Sequence, residues 1–127
     1  MRLKNVNLVY GAQIFKALSD EARIRIMNLL FQNKELCISD LEHILGFTQT
    51  KTSRHLGYLK NSGIVSARKS DQWVFYYIKD EVYDILKQIF TYMQKDGTLL
   101  ADQEAYQTLY SNRELAINKI MQKQWIN

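Results

Sequence analysis

Two short β-rich runs, Ile64–Lys69 and Trp73–Lys79, stand in a chain whose other apolar patterns repeat with a helical period. Joined by Ser70-Asp71-Gln72, they read as one hairpin. The rest of the chain favours helix, because it contains no proline at all and proline is the residue that breaks helix interiors. The expected fold class is therefore mostly α with a small β-hairpin. At 127 residues, 46% of them apolar, the chain has the size of one domain and ample material for a core.

Four helical segments precede the hairpin. Residues 8–18 place Leu8, Val9, Ala12, Phe15 and Leu18 at helical spacing. Ser19 is expected to cap a second helix that carries Asp20 and Glu21 in its first turn and buries Ile24, Met27, Leu30 and Phe31, ending near Asn33. Ser39 is expected to cap a short third helix with Leu41, Ile44 and Leu45 inward and Gly46 closing it. Thr48 caps a fourth helix to about Ser62, with Thr52, Leu56 and Leu59 inward and Thr50, Lys51, Arg54, Gly57, Tyr58 and Asn61 outward. Gly63 ends it. After the hairpin, Asp80 opens a fifth helix with Val82, Ile85, Leu86, Ile89, Phe90 and Met93 inward, broken at Asp96-Gly97. Residues 102–125 are helical again, with Tyr106, Leu109, Tyr110, Ile117, Ile120 and Met121 apolar, and Ser111 with Glu114 is expected to restart the helix through a capping box.

Helices, a tight corner at Gly46, a further helix and a hairpin make the winged helix-turn-helix plan, with an extra C-terminal helix. The chain is read as a single winged-helix domain over 1–127, with a core over about 10–95 and a helical extension over 98–127 expected to serve dimerisation.

Charge points to the partner. The 28 residues His43–Ser70 hold no acidic side chain and five basic ones, Lys51, Arg54, Lys60, Arg68 and Lys69. Neutralising phosphates with such cations releases counterions and gains affinity for duplex DNA. Net charge is +4; residues 1–38 and 39–79 each carry six basic against three acidic side chains, whereas residues 80–127 carry five against seven. The positive excess therefore lies in the first two thirds. Gln49, Thr50, Lys51, Ser53, Arg54, His55 and Tyr58 on the fourth helix, with Arg68 and Lys69 beside the hairpin tip, are the expected DNA-binding residues.

Other classes find less support. Paired carboxylates, a Ser-His-Asp set, a Gly-rich phosphate loop and a metal-ligand cluster are all missing, so no catalytic residue, metal or cofactor is expected and the chain is not read as an enzyme. One cysteine, Cys37, cannot form an intrachain disulfide and fits a reducing compartment. The start lacks a signal-peptide core and no apolar run approaches a membrane span, so a cytoplasmic location is expected. The rival function is a winged-helix module for protein–protein contact without operator binding, which calls for an apolar outward face on residues 50–61. Here that face is basic and polar apart from Tyr58.

The residues also resemble a family. Phe15–Leu30 (FKALSDEARIRIMNLL) is similar to the second-helix signature of the ArsR/SmtB family of small bacterial winged-helix repressors. Glu35–Leu41 (ELCISDL) resembles its third-helix motif ELCVCDL, and Thr48–Val65 (TQTKTSRHLGYLKNSGIV) its recognition helix. The resemblance covers about residues 10–95 and implies a homodimer that binds a two-fold-symmetric operator, with duplex DNA and a second copy as partners. It breaks at the metal sites. Ser39 stands where the family's second third-helix cysteine lies, and residues 80–95 contain no histidine. The signal is left open between a small molecule and oxidation.

Several tempting residues have plain readings. Cys37 reads as a small buried apolar group before it reads as a redox thiol or a metal ligand. His55 lies about 70° from the inward stripe and reads as a boundary residue bonding backbone or phosphate. His43 reads as a surface histidine. Trp73, Phe75 and Tyr77 alternate through a strand and read as hairpin core rather than a ligand cage. The stripes Tyr83–Met93 and Tyr106–Met121 read as a dimer interface rather than a small-molecule pocket.

Overall fold

Helix caps divide the chain into its elements. The computed structural model describes the backbone of residues 5–126 and the side chains of residues 5–116. In chain order these are α1 (Leu8–Ala17), α2 (Glu21–Asn33), β1 (Glu35–Cys37), α3 (Ile38–Leu45), α4 (Gln49–Asn61), β2 (Val65–Ser70), β3 (Trp73–Ile78), α5 (Asp80–Tyr92) and α6 (Gly97–Ile126). Thr48 caps α4 as expected, its hydroxyl accepting from the Lys51 amide at 3.1 Å. Gly46 closes α3 at φ 69°, a left-handed conformation that glycine adopts without steric cost.

Two expected caps shift. The Ser19 hydroxyl donates backwards to the Lys16 carbonyl at 2.6 Å and so closes α1, and Asp20 caps α2 by accepting from the Arg23 amide at 3.1 Å. Ser39 lies inside α3, whose N-cap position is Cys37. The reason is β1, a strand that runs straight into the helix. It pairs antiparallel with β3 through Glu35↔Tyr77, Leu36↔Tyr76 and Cys37↔Phe75, so the hairpin becomes a three-stranded sheet of order β1-β3-β2. Three residues abutting a helix carry no period-2 signal, which is why the sequence does not show this strand.

The hairpin turn is tighter than expected. Ser70 pairs with Trp73, leaving Asp71 and Gln72 as the connection, with Asp71 at φ 55°. Asp tolerates that left-handed conformation better than most residues. Trp73 is 49% exposed at the tip, and so is not hairpin core.

The core centres on α2. Ile26, Met27, Leu29 and Leu30 are sealed beneath Leu41, Leu56, Leu59, Val65, Val82 and Leu86. Ile24 and Phe31, expected inward, are half-buried, and Phe31 stacks near Tyr83 and Phe90. Truncating a fully enclosed residue such as Leu59 to alanine removes about 2–5 kcal/mol. On α1 the buried residues are Ile14 and Ala17, whereas Leu8, Val9 and Phe15 are 88%, 69% and 74% exposed.

The last helix begins at Gly97, five residues earlier than expected, because Asp96 caps it through the Leu99 amide. It runs unbroken through Ser111 and Glu114, so no capping box restarts it. Its first half docks on its own chain, against α2 and α3. Arg25 grips Asp102 with two bonds of 2.9 Å, Asn33 and Gln103 exchange two amide bonds of 2.8 Å, and Asp40 accepts from both Tyr110 and Arg113. Tyr106 and Leu109 pack against the core beside these ties. The expected apolar positions Ile117, Ile120 and Met121 lie outside the described side chains. Among the described residues no helix is long and apolar enough to cross a membrane. The architecture is a winged helix-turn-helix with an added C-terminal helix.

Candidate nucleic-acid interface

The outward face of α4 exists because Thr52, Leu56 and Leu59 turn fully into the core. That leaves Gln49, Thr50, Ser53 and Arg54 exposed on one side of the helix. Arg54 forms no salt bridge among the described residues, so its guanidinium is available to an anion. Lys51 is half-buried, its ammonium 4.1 Å above the Phe47 ring.

Three expected contact residues sit differently from the expectation. His55 is only 7% exposed and turns away from that outward face. Burial pushes its imidazole pKa down, against an opposing pull from Asp20. Tyr58 is half-buried under Arg23, whose guanidinium lies 4.2 Å from the ring centre. Arg68 is exposed but already engaged. It hydrogen-bonds both carboxylate oxygens of Glu35 and lies 4.8 Å over Phe75. That bidentate hydrogen bond holds the Glu35 carboxyl below its ordinary range. Lys69, opposite Val74 one step nearer the tip, is exposed and forms no salt bridge among the described residues.

Two residues that sequence patterning missed hold α4 in place. Arg23 donates to the carbonyls of Ala17 and Lys16 at 3.0 Å each while it covers Tyr58, so one guanidinium joins the end of α1 to α4. The Tyr10 hydroxyl donates to the Gly63 carbonyl at the start of the wing. Gly63 has φ 77°, and a Cβ there would come within 3.3 Å of the Tyr10 ring, so both conformation and space call for glycine. The contacts that reach across the fold, Arg23 to Tyr58 and Tyr10 to Gly63, have no local signature, since each joins residues far apart in the chain.

Cys37 is buried, its sulfur 3.3 Å from the Ser39 hydroxyl. Among the described residues no group of three or more His, Cys, Asp or Glu side chains is placed to hold a metal ion.

Comparison with known proteins gives a consistent result. Residues 20–67 match the family model described as bacterial regulatory protein, arsR family. An uncharacterised HTH-type transcriptional regulator of Methanocaldococcus jannaschii is 43% identical over 80 residues, covering 62% of this chain and 90% of that protein. An arsenic resistance transcriptional regulator of Pseudomonas putida, ArsR2, is 36% identical over 96 residues, covering 75% and 84%. A second regulator of that organism, ArsR1, is 42% identical, but the match spans only 54% of its length and 54% of this chain. Among solved structures, HlyU from Vibrio cholerae superimposes with a TM-score of 0.60 at 31% identity, covering 65% of this chain and 89% of that one. A homodimeric winged helix-turn-helix DNA-binding domain from Mycobacterium bovis gives 0.62 at 27% identity, covering 69% and 82%.

Proposed function

This chain belongs to the ArsR family of bacterial regulatory proteins, and we propose that it acts as a homodimeric transcriptional regulator, a repressor, that binds an inverted-repeat operator. The observation that carries this reading is the exposed face of α4. It is polar and basic, lies in a stretch free of carboxylates from His43 to Ser70, and stands beside a hairpin wing with Lys69 near its tip. Gln49, Thr50 and Arg54 reach base edges in the major groove, where an arginine can grip guanine O6 and N7. Ser53 and Lys51 flank them, and Lys69 meets phosphate. A protein-docking face calls for apolar side chains instead.

The dimer reading rests on α1. Leu8, Val9 and Phe15 are exposed and have no apolar cover among the described residues, and Tyr83 and Tyr92 of α5 are exposed as well. A second copy supplies that cover, and a two-fold dimer accounts for an inverted-repeat site. Selection of duplexes from a randomised pool, followed by fluorescence-anisotropy titration of the recovered and scrambled sequences, tests the function. A selected duplex bound at least about a thousandfold tighter than the scrambled one is the expected result. Recovery of no preferred sequence contradicts it.

A further inference from the structure

His55 stands on the helix assigned to the major groove, yet it is withdrawn from the surface that would meet DNA. It makes no hydrogen bond among the described residues, and no fully enclosed side-chain nitrogen or oxygen there lacks a partner. Its unpartnered ring nitrogens are therefore not fully enclosed, and the residue lines a cleft of about 630 Å³. That volume lies within the range of small-molecule sites. One wall is α4, with Lys51, Arg54 and His55; the other is the α5–α6 corner, with Met93 and Leu99; Phe47 and Ile24 also line it.

The charged groups of the cleft fall into two sets. Asp20 and Asp96 are occupied as helix caps, and Arg25 is held by both oxygens of Asp102. Glu21 is exposed at the first turn of α2, where its charge acts on Arg25. Lys51 and Arg54 form no salt bridge among the described residues. The groups on the α4 wall without a carboxylate partner among the described residues are thus two cations, of which Lys51 also lies over the Phe47 ring, and one imidazole, beside an apolar surface of Phe47 and Leu99. Such a set suits an anion with an apolar body, since a charge-assisted bond to a cation is about twice as strong as a neutral one.

We propose that this cleft is an effector site for a small organic carboxylate with an apolar body, its carboxylate on Lys51, Arg54 and the His55 ring and its hydrocarbon against Phe47 and Leu99. The regulatory consequence rests on the DNA-binding reading. Lys51 and Arg54 serve the duplex as well, so a carboxylate that occupies them removes positive charge from the DNA face. Ligand and duplex then oppose one another, and the coupling is reciprocal. A DNA phosphate entering the cleft would use the same anion chemistry without the apolar body, so free phosphate must be tested beside the acids.

The chain has two histidines, and His43 is exposed on α3 away from the cleft, which makes it an internal reference. Imidazole Cε1–H resonances are followed while benzoate, phenylacetate or 4-methylpentanoate is added at constant ionic strength. Phenylacetamide and inorganic phosphate serve as controls. A saturable shift at His55 alone with at least one acid, absent for both controls and lost in Lys51→Gln, is expected. Affinity for the selected duplex should fall roughly tenfold at saturation. The site is overturned if no acid moves His55, or if phenylacetamide or phosphate moves it equally. A His55 shift with unchanged duplex affinity overturns its regulatory role. If the protein binds no duplex even without acid, the proposed function fails, and the His55 titration still decides whether the site exists.

Discussion

Arg54 and Arg68 carry the same guanidinium, and their surroundings assign them different work. Arg54 is exposed, without a carboxylate partner among the described residues, and points out from the middle of α4. Arg54→Ala should weaken binding to the selected duplex by about 1–3 kcal/mol more than binding to scrambled DNA. Lys69→Ala should weaken both alike and lower the salt slope by about one. Sequence reasoning treats Arg68 as the equal of Lys69, but Glu35 already neutralises Arg68. Arg68→Ala should therefore change the slope less than Lys69→Ala does. Anisotropy titrations at several salt concentrations separate the three, and equal losses on both duplexes would remove Arg54 from base reading. Arg23 acts indirectly, by fixing where α4 lies. Lysine in its place keeps the charge but loses the planar fork on the Lys16 and Ala17 carbonyls. Arg23→Lys and Tyr58→Leu should each reduce duplex selectivity, while Tyr58→Phe, which keeps the ring under the guanidinium, should leave it intact. The stacking alone is worth about 0.5–1 kcal/mol, so a loss of selectivity equal in all three variants would argue against this role.

At the scale of elements, α6 holds to its own chain by polar ties as well as by apolar packing. Asp40 is 3% exposed, and a carboxylate so enclosed needs partners. Burial works against its charged form, yet the hydrogen bonds from Arg113 and Tyr110 outweigh it and hold the Asp40 pKa below the ordinary value. In return, burial and then the Asp40 charge push the Tyr110 hydroxyl pKa well up. Arg113→Ala leaves a buried charge with fewer partners and should cost about 1–3 kcal/mol, moderated because Arg113 itself is 48% exposed to water. Urea denaturation measures the loss. The pH dependence has a definite sign. A carboxyl whose pKa is depressed on folding contributes stability that is present above its unfolded pKa, about 3.9, and is lost as pH falls through its folded pKa. Asp40→Asn should flatten the stability curve on that acid limb and leave its shape unchanged near neutrality. A variant curve parallel to the wild type below pH of about 4 would show that Asp40 has no such linkage.

At the scale of the whole molecule, the exposed face of α1 bears on assembly and the single cysteine on metal response. Exposed Leu8, Val9 and Phe15 on α1 predict that light scattering finds twice the 15.0 kDa chain mass at micromolar concentration. A 15.0 kDa particle would contradict it. In the dimer the two α4 helices should lie about 34 Å apart, or a multiple of it, to meet successive major grooves. Metals should leave the duplex complex unchanged. Cys37 is a single thiol with Ser39 two residues on, whereas structural zinc uses four N, S or O ligands and arsenite three thiolates. Adding zinc, cadmium or arsenite to the preformed complex and following anisotropy checks this, and stoichiometric release of DNA by any of them would refute it.

Much of this molecule is decided by local chemistry. The residue order alone determines α4, since Thr48 caps it, Thr52, Leu56 and Leu59 bury it and Gly63 ends it, all within one segment. It likewise determines the hairpin and the acid-free stretch of chain around them, because period and charge are properties of neighbours. Features that depend on distant partners are decided only by tertiary structure. β1 is a strand because β3 lies beside it, and α6 docks because Arg25, Asn33 and Asp40 meet it from the other end of the chain. Arg68 is engaged because β1 brings Glu35 next to it, and His55 lines a cleft because the fold sets the α5–α6 corner, with Met93 and Leu99, across from α4. A hydrogen bond or ion pair forms between whatever the fold brings within about 3 Å, and sequence separation places no limit on that choice.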